Sequence, residues 1–208
     1  MAFVSNVSRR WVVSGLAAAA APVRAAARPV VTVLGDSITA GLGLRAAEAM
    51  PAQLQALLGP GVLVRAAGVS GDTSAGGLAR VDFSVQPDTR VCVVALGGND
   101  LLQGLDPRQM EANLTAIVKR LKARRIGVVL AGAKTPIAAS AAYRKAFDDA
   151  FARVATAQKV ALAPDVLKGI SDNPAMRQAD GIHPNAAGAK LMASRLAPVV
   201  LRVLKSPA

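Results

Sequence analysis

The chain has one histidine, His183, and one cysteine, Cys92. Imidazole chemistry must therefore run through His183, and centres built from several histidines or cysteines are excluded. Three residues before it stands Asp180, in the run Asp180-Gly181-Ile182-His183-Pro184-Asn185. A carboxylate at that spacing, just ahead of a helix, reaches the same turn and can accept one ring N–H, which fixes the tautomer and stabilises an imidazolium. Serine is a weak nucleophile until a base removes its proton during attack. Ser37, in Gly35-Asp36-Ser37-Ile38, follows an apolar run at a strand-to-helix turn. Gly35 lets the chain turn tightly there, and the helix that follows should point free N–H groups and its positive dipole end at the serine oxygen.

Acyl transfer also needs donors for a developing oxyanion. Three candidates lie on separate segments: the Ser37 N–H, the Gly71 N–H in Val69-Ser70-Gly71-Asp72-Thr73-Ser74, and the Asn99 amide in Gly97-Gly98-Asn99-Asp100. Each segment alone reads as a turn or a helix cap, and the Asp–His pair alone as a structural hydrogen bond. Taken together and in this order, they point to Ser37 as nucleophile, His183 as base and Asp180 as its orienting partner. Asp36, Asp72 and Asp100 are expected to fix loops as acceptors and not to act as acids.

These segments need a scaffold that carries them to one place. The runs Val30–Leu34, Val62–Ala66, Arg90–Leu96, Ile126–Ala131 and Val160–Leu162 read as strands. Helices are expected around Ala46 to Leu58, Pro107 to Arg124, Ala139 to Gln158 and Asn185 to Leu204, the last capped by Asn185. Strands without polar alternation are buried on both faces, and the intervening helices permit parallel crossovers. The expectation is a three-layer α/β domain with a parallel sheet of about five strands. Sites in such sheets form beyond the carboxyl ends of the strands, where the serine, Gly71 and asparagine segments follow the first three strands. With 208 residues, 52% of them apolar, there is material for one domain and its core, which must be built from Ala, Val and Leu because aromatics are only 3%.

The four segments also carry a resemblance. Gly35-Asp36-Ser37-Ile38, Gly71 in Ser-Gly-Asp-Thr-Ser, Gly97-Gly98-Asn99-Asp100 and Asp180-Gly181-Ile182-His183-Pro184 resemble the four blocks of the SGNH (GDSL-like) hydrolases. The run from Val69 to Ser74, with Gly77-Leu78-Ala79-Arg80 after it, is most similar to the branch of bacterial thioesterase I/lysophospholipase L1 and arylesterases. The resemblance spans about residues 30 to 200. It implies a flavodoxin-like sheet, the triad Ser37, His183 and Asp180, oxyanion donors from Ser37, Gly71 and Asn99, and no metal or cofactor. The activity implied is hydrolysis of carboxylic esters or thioesters. The chain departs from that branch at Ala66, where asparagine is common, and over Pro136 to Ser140, which the resemblance places beside the acyl or alcohol pocket. Tyr143 and Phe147 are kept.

Ahead of the domain, Arg9 and Arg10 precede an apolar stretch from Trp11 to Ala21, then Pro22 and the small residues around Ala25 and Ala27. The stretch is too short to span a bilayer, which takes about 20 residues, and has the order of an export signal. Residues 1–27 are therefore expected to be a cleavable export segment, by a twin-arginine or a general secretory route. Residues 28–208 form the domain, periplasmic or secreted. The full chain carries a formal +12. Lys119, Arg120, Lys122, Arg124 and Arg125 cluster at a helix C-terminus, where cations offset the dipole. They read first as a solvated helix end, with weak contact to anionic lipid surfaces as the alternative. Nucleic acid is not expected as a partner, since basic stripes interleaved with stacking aromatics are missing.

Cys92, inside an apolar strand, reads as inert core. Leu101 and Leu102 are candidates either to line an acyl groove or to pack on a neighbouring helix. Two rival functions remain compatible with the sequence. One is a metal-dependent phosphoesterase, which a single histidine disfavours; the other is a non-catalytic binding module on the same fold.

Overall fold

The computed structural model describes residues 27–134 and 139–206. Apart from Ala27, the expected export segment lies outside the described residues, as do Pro136, Ile137 and Ala138.

Along the inner strands, side chains alternate between two apolar layers. Val31 and Val33 of β1 (Val30–Gly35), Val91 and Val93 of β3 (Thr89–Ala95), and Val129 and Ala131 of β4 (Gly127–Ala131) face one layer. Leu34, Cys92, Val94, Val128 and Leu130 face the other. The first layer is closed by Met50 and Leu54 of α2 (Met50–Leu58) and by Met192, Leu196 and Val200 of α7 (Ala186–Lys205). The second is closed by α3 (Ser74–Ser84), α5 (Pro107–Ala123) and α6 (Ala141–Gln158), through residues such as Val81, Leu114, Ile117 and Phe151. Phe147 and Phe151, one helical turn apart on α6, meet edge to face at 5.5 Å.

With β2 (Leu63–Gly68) and β5 (Ala161–Ala163), the sheet has the order β2-β1-β3-β4-β5, and every pairing is parallel. The chain steps outward from β1 to β2, then crosses back over β1 to β3. That reversal opens a crevice at the carboxyl ends of β1 and β3. The expected three-layer sheet of five strands is what the chain forms, with each strand within about two residues of its apolar run.

Three local expectations need correction. β2 is not buried on both faces: Leu63 is 37% exposed, because an edge strand has one neighbour and is covered by less of the helical layer. Its Arg65 reaches out to Asp88 at 2.7 and 2.9 Å. The stretch from Ala46 divides into a 3₁₀ turn, Ala46–Glu48, and α2, with Pro51 tolerated in the first turn. Two helices were not expected, α3 and the short α4 (Gly98–Leu102). Gly76 and Gly77 argue against helix by propensity. In the fold a Cβ on Gly77 would sit 2.1 Å from Leu96 Cδ1, so the missing side chain is what lets α3 lie close against the sheet.

Candidate active site

Ser37 opens α1 (Ser37–Ala40), directly after β1. His183 lies in the loop between the 3₁₀ turn Pro174–Met176 and α7, and Asn185 caps α7 by accepting from the Gly188 N–H at 3.1 Å. The two residues are 146 positions apart, yet Ser37 Oγ and His183 Nε2 are 2.8 Å apart. On the far side of the ring, His183 Nδ1 lies 2.6 Å from Asp180 Oδ2. Asp180 Oδ1 accepts the backbone N–H groups of Ile182, at 2.9 Å, and of His183, at 3.0 Å. The Ile182 N–H, then the imidazole and the His183 N–H, hold the Asp180 carboxyl down to about 2. An ionised carboxylate is an acceptor only, so Nδ1 carries the ring proton and Nε2 presents its lone pair to the Ser37 hydroxyl.

The helix-dipole expectation at Ser37 is reduced. α1 is a single turn of four residues, and Asp36 Oδ1 takes the Ile38 N–H at 3.0 Å. The Ser37 N–H makes no hydrogen bond among the described residues.

Ser37, Asn99 and His183 line one cavity of about 200 Å³. Asn99 is in the first turn of α4, beyond β3, and its Nδ2 donates one hydrogen to the Asp72 carbonyl at 2.8 Å. Gly71 sits on the β2–α3 loop with φ +86°, a conformation glycine adopts without a Cβ penalty. Its N–H makes no hydrogen bond among the described residues. Gly71 does not line the cavity, and its loop is joined to it by the Asp72–Asn99 contact. The structure thus gathers Ser37, Asn99 and His183 around one space, with Asp180 behind the imidazole and Gly71 on the adjoining loop.

The remaining aspartates are acceptors, as expected. Asp100 Oδ2 takes the Ser74 N–H at 2.7 Å and Oδ1 its hydroxyl at 2.5 Å, which joins the start of α3 to α4. Asp72 Oδ2 takes Arg80 Nε at 2.5 Å. Burial pushes the Asp36 carboxyl up to about 6, against the opposing pull of the Ile38 N–H and the His183 charge. Cys92 is fully buried between strands and its thiol is pushed up to about 12 by desolvation, consistent with an inert core residue.

Two supporting residues were not assigned a role from sequence. Arg80 donates to the carbonyls of Gly35, at 2.8 Å, and Ala67, at 3.0 Å, as well as to Asp72, so one guanidinium binds the ends of β1 and β2 and the Gly71 loop. Its place in the Gly77–Arg80 run was the only signal. Gln178 Nε2 donates to Leu42 O at 2.8 Å and Pro184 O at 3.0 Å, joining the turn after Ser37 to the His183 loop. Nothing in the local pattern marks it.

Leu101, Leu102, Phe147, Leu167 and Ile182 form an apolar part of the cavity wall, and Lys134, Ser171 and Arg177 line it as well. Leu101 is 6% exposed and Leu102 52%, so one packs inward and the other stays open to solvent, and both border the space. Ser140 caps α6 and the Tyr143 hydroxyl donates to Leu105 O at 2.9 Å, which sets Phe147 against the cavity. Among the described residues, no group of three or more His, Cys, Asp or Glu is placed to hold a metal ion.

Residues 33–191 match the GDSL-like Lipase/Acylhydrolase family. The chain is 36% identical over 200 residues to "Esterase TesA" of Pseudomonas aeruginosa, covering 94% of this chain and 100% of that protein. It is 35% identical over 196 residues to "Thioesterase 1/protease 1/lysophospholipase L1" of Escherichia coli, covering 92% and 94%. Among solved structures, a crystal structure of TesA superposes with a TM-score of 0.79 at 36% identity, covering 84% of this chain and 99% of the other.

Proposed function

The chain belongs to the GDSL-like lipase/acylhydrolase family and is a serine-dependent carboxylic ester hydrolase; from that premise we propose that Ser37 is its nucleophile, His183 its general base and acid, and Asp180 the carboxylate that orients the imidazole. The observation that carries the assignment is the 2.8 Å contact between Ser37 Oγ and His183 Nε2. As Ser37 attacks the ester carbonyl, its proton passes to Nε2 and the imidazolium is held by ionised Asp180. The oxyanion forms against the Ser37 N–H and the free hydrogen of Asn99 Nδ2, with the Gly71 N–H as the third donor. His183 then protonates the leaving group. Water, activated by the same Nε2, releases the acid from Ser37.

The substrate on this reading is a small ester or thioester with a short to medium acyl chain. The apolar stretch of wall from Leu101 and Leu102 to Phe147, around a space of about 200 Å³, supports it. Ser37→Ala is expected to abolish hydrolysis of p-nitrophenyl esters and to leave the melting temperature nearly unchanged. A serine-directed phosphonate should add one adduct, mapped to Ser37 by mass spectrometry. Near-full activity of the Ser37 variant would refute the serine mechanism. A panel of p-nitrophenyl esters and acyl thioesters of graded length ranks the substrates.

The first 27 residues act, on the same reading, as a cleavable export segment, so the mature enzyme works in the periplasm or outside the cell. Support comes from the order of Arg9-Arg10, the apolar stretch and the small residues, and from the position of β1, whose first residue is Val30. Intact-mass measurement of the protein recovered outside the cytoplasm tests it; a chain that still begins at Met1 overturns it.

A further inference from the structure

The rim opposite the active site carries a second feature. Arg90, Lys122, Arg125, Lys159 and Arg202 line one groove of about 520 Å³ at the N-terminal ends of β3, β4 and β5. They come from five places in the chain: β3, the end of α5, the turn before β4, the end of α6, and α7. Apolar Ile126, Val128, Val160 and Val203 line it too, and among the described residues no carboxylate does.

Part of this charge has a local explanation. α5, α6 and α7 all end at this rim, and each helix C-terminus carries roughly half a negative charge. Lys122 Nζ donates to Gln158 O at 2.6 Å and Arg90 Nη2 to Ser206 O at 2.6 Å. Three helix ends nevertheless fall well short of five cations. Arg125, Lys159 and Arg202 form no ion pair among the described residues. The basic run at the end of α5 is therefore divided. Arg120 and Arg124 turn to Asp82, at 3.1 and 3.9 Å, while Lys122 and Arg125 turn to the groove.

An independent observation points to the same place. Among the described residues, only two that are not glycine have positive φ, Arg125 at +58° and Lys159 at +53°, and both line this groove. Each ends a helix where glycine or asparagine is favoured. A cation is kept there at a cost in backbone strain, and strain of this kind collects where a side chain has work to do.

We propose that this groove binds a ligand carrying two or more phosphate-type negative charges. The shared chemistry has two sources, a soluble oligophosphate or the headgroups of an anionic bilayer, and the test separates them. Inorganic pyrophosphate is titrated into the purified protein with Tm as the readout, and phosphatidylglycerol vesicles are tested by co-sedimentation against phosphatidylcholine vesicles. The informative variant is Arg125→Gly with Lys159→Gly, which removes two charges while suiting the positive φ, so its Tm without ligand should hold or rise. Lys119→Gln with Lys190→Gln removes the same charge from exposed positions elsewhere and is the control. Arg202→Gln is a second groove variant that leaves both helix ends intact.

The expected result is that both groove variants lose most of the pyrophosphate-induced Tm shift and the control keeps it. If the source is a bilayer, the double glycine variant should partition onto anionic vesicles roughly thirtyfold more weakly, the loss of two surface cations. Pyrophosphate binding without vesicle binding assigns a soluble ligand, and vesicle binding lost only in the groove variants assigns the membrane surface. Failure of the wild-type protein to bind either probe, or an equal loss in the control, overturns the proposal.

Discussion

Asn99 gives one of its two amide hydrogens to the carbonyl of Asp72, at 2.8 Å. The bond aims the second hydrogen, since a planar NH₂ with one fixed donor has little freedom for the other. It also ties Asn99 to the loop of Gly71, the other loop donor in the proposed oxyanion site, because Asp72 directly follows Gly71. Asn99→Ala is expected to lower kcat by on the order of 10²–10³, with KM little changed, because the donor is needed where charge develops and not where the substrate docks. Steady-state hydrolysis of a p-nitrophenyl ester measures both constants. A KM effect with kcat intact would remove Asn99 from the oxyanion site.

Asp180 tests the tautomer. In Asp180→Asn the amide can keep Oδ1 as acceptor for the Ile182 and His183 N–H groups and so preserve the turn. Its NH₂ then faces Nδ1, which must become an acceptor, and the ring proton moves to Nε2, where it opposes the Ser37 hydroxyl. The expected loss in kcat is about 10⁴, the size associated with the wrong tautomer in serine-protease triads. Loss of activity should come with retained fold and a much slower reaction of Ser37 with the phosphonate. Asp180→Asn with wild-type kcat would remove the orienting role.

Two carboxyls give pH dependences of opposite sign. Asp180 is held down to about 2 in the fold from an ordinary 3.8, so its contribution to stability is present above about pH 4 and is lost as pH falls toward 2. Asp36 is raised from 3.8 to about 6. Its contribution is fully present below about pH 4 and is lost as pH rises through 6, because the buried group must then carry a charge. Asp36→Asn should therefore be more stable than the parent well above pH 6, by about 3 kcal/mol. The difference should close below pH 4. Urea unfolding at pH 8 and pH 4 checks it, and an equal ΔΔG at the two pH values would contradict the assignment.

The fold was legible where apolar runs are long and caps are strong. The five strands and the helices beginning at Pro107 and after Asn185 follow from β-branched runs, from proline at the first helical position and from an Asx cap. The meeting of Ser37, His183 and Asp180 was legible because a lone histidine leaves few arrangements, and because chemistry demands particular side chains. What was hidden is what depends on tertiary approach. α3 contains two glycines and forms because the sheet needs a thin helix at Gly77, a requirement no local window carries. Arg80 and Gln178 act on backbone carbonyls from distant segments, and a carbonyl looks the same at every residue. The basic groove was half visible as the run at the end of α5, but Arg90, Lys159 and Arg202 join it only through the topology.

Gln178 raises the question of what keeps Ser37 and His183 in register through turnover. On the proposed mechanism, once Ser37 Oγ is acylated its hydrogen bond to Nε2 no longer holds the two segments, and water must still find the imidazole in place. Gln178 supplies a connection that does not involve the reacting atoms. Its backbone N–H donates to His183 O at 2.8 Å, and its amide spans Leu42 O and Pro184 O. Leu42 N–H in turn donates to Ser37 O at 3.0 Å. Gln178→Met keeps the length and removes the donors. The expected effect is a fall of roughly 10–100-fold in kcat with KM nearly constant, the range expected when catalytic groups shift by a fraction of an ångström to an ångström. The rate of Ser37 phosphonylation should fall in step, since both depend on the same serine–imidazole geometry. A loss of about 1–2 kcal/mol in stability is expected from two vacated carbonyls. Measured well below the variant's Tm, unchanged kcat and phosphonylation beside a lowered Tm would mean that Gln178 stabilises the loop without positioning His183.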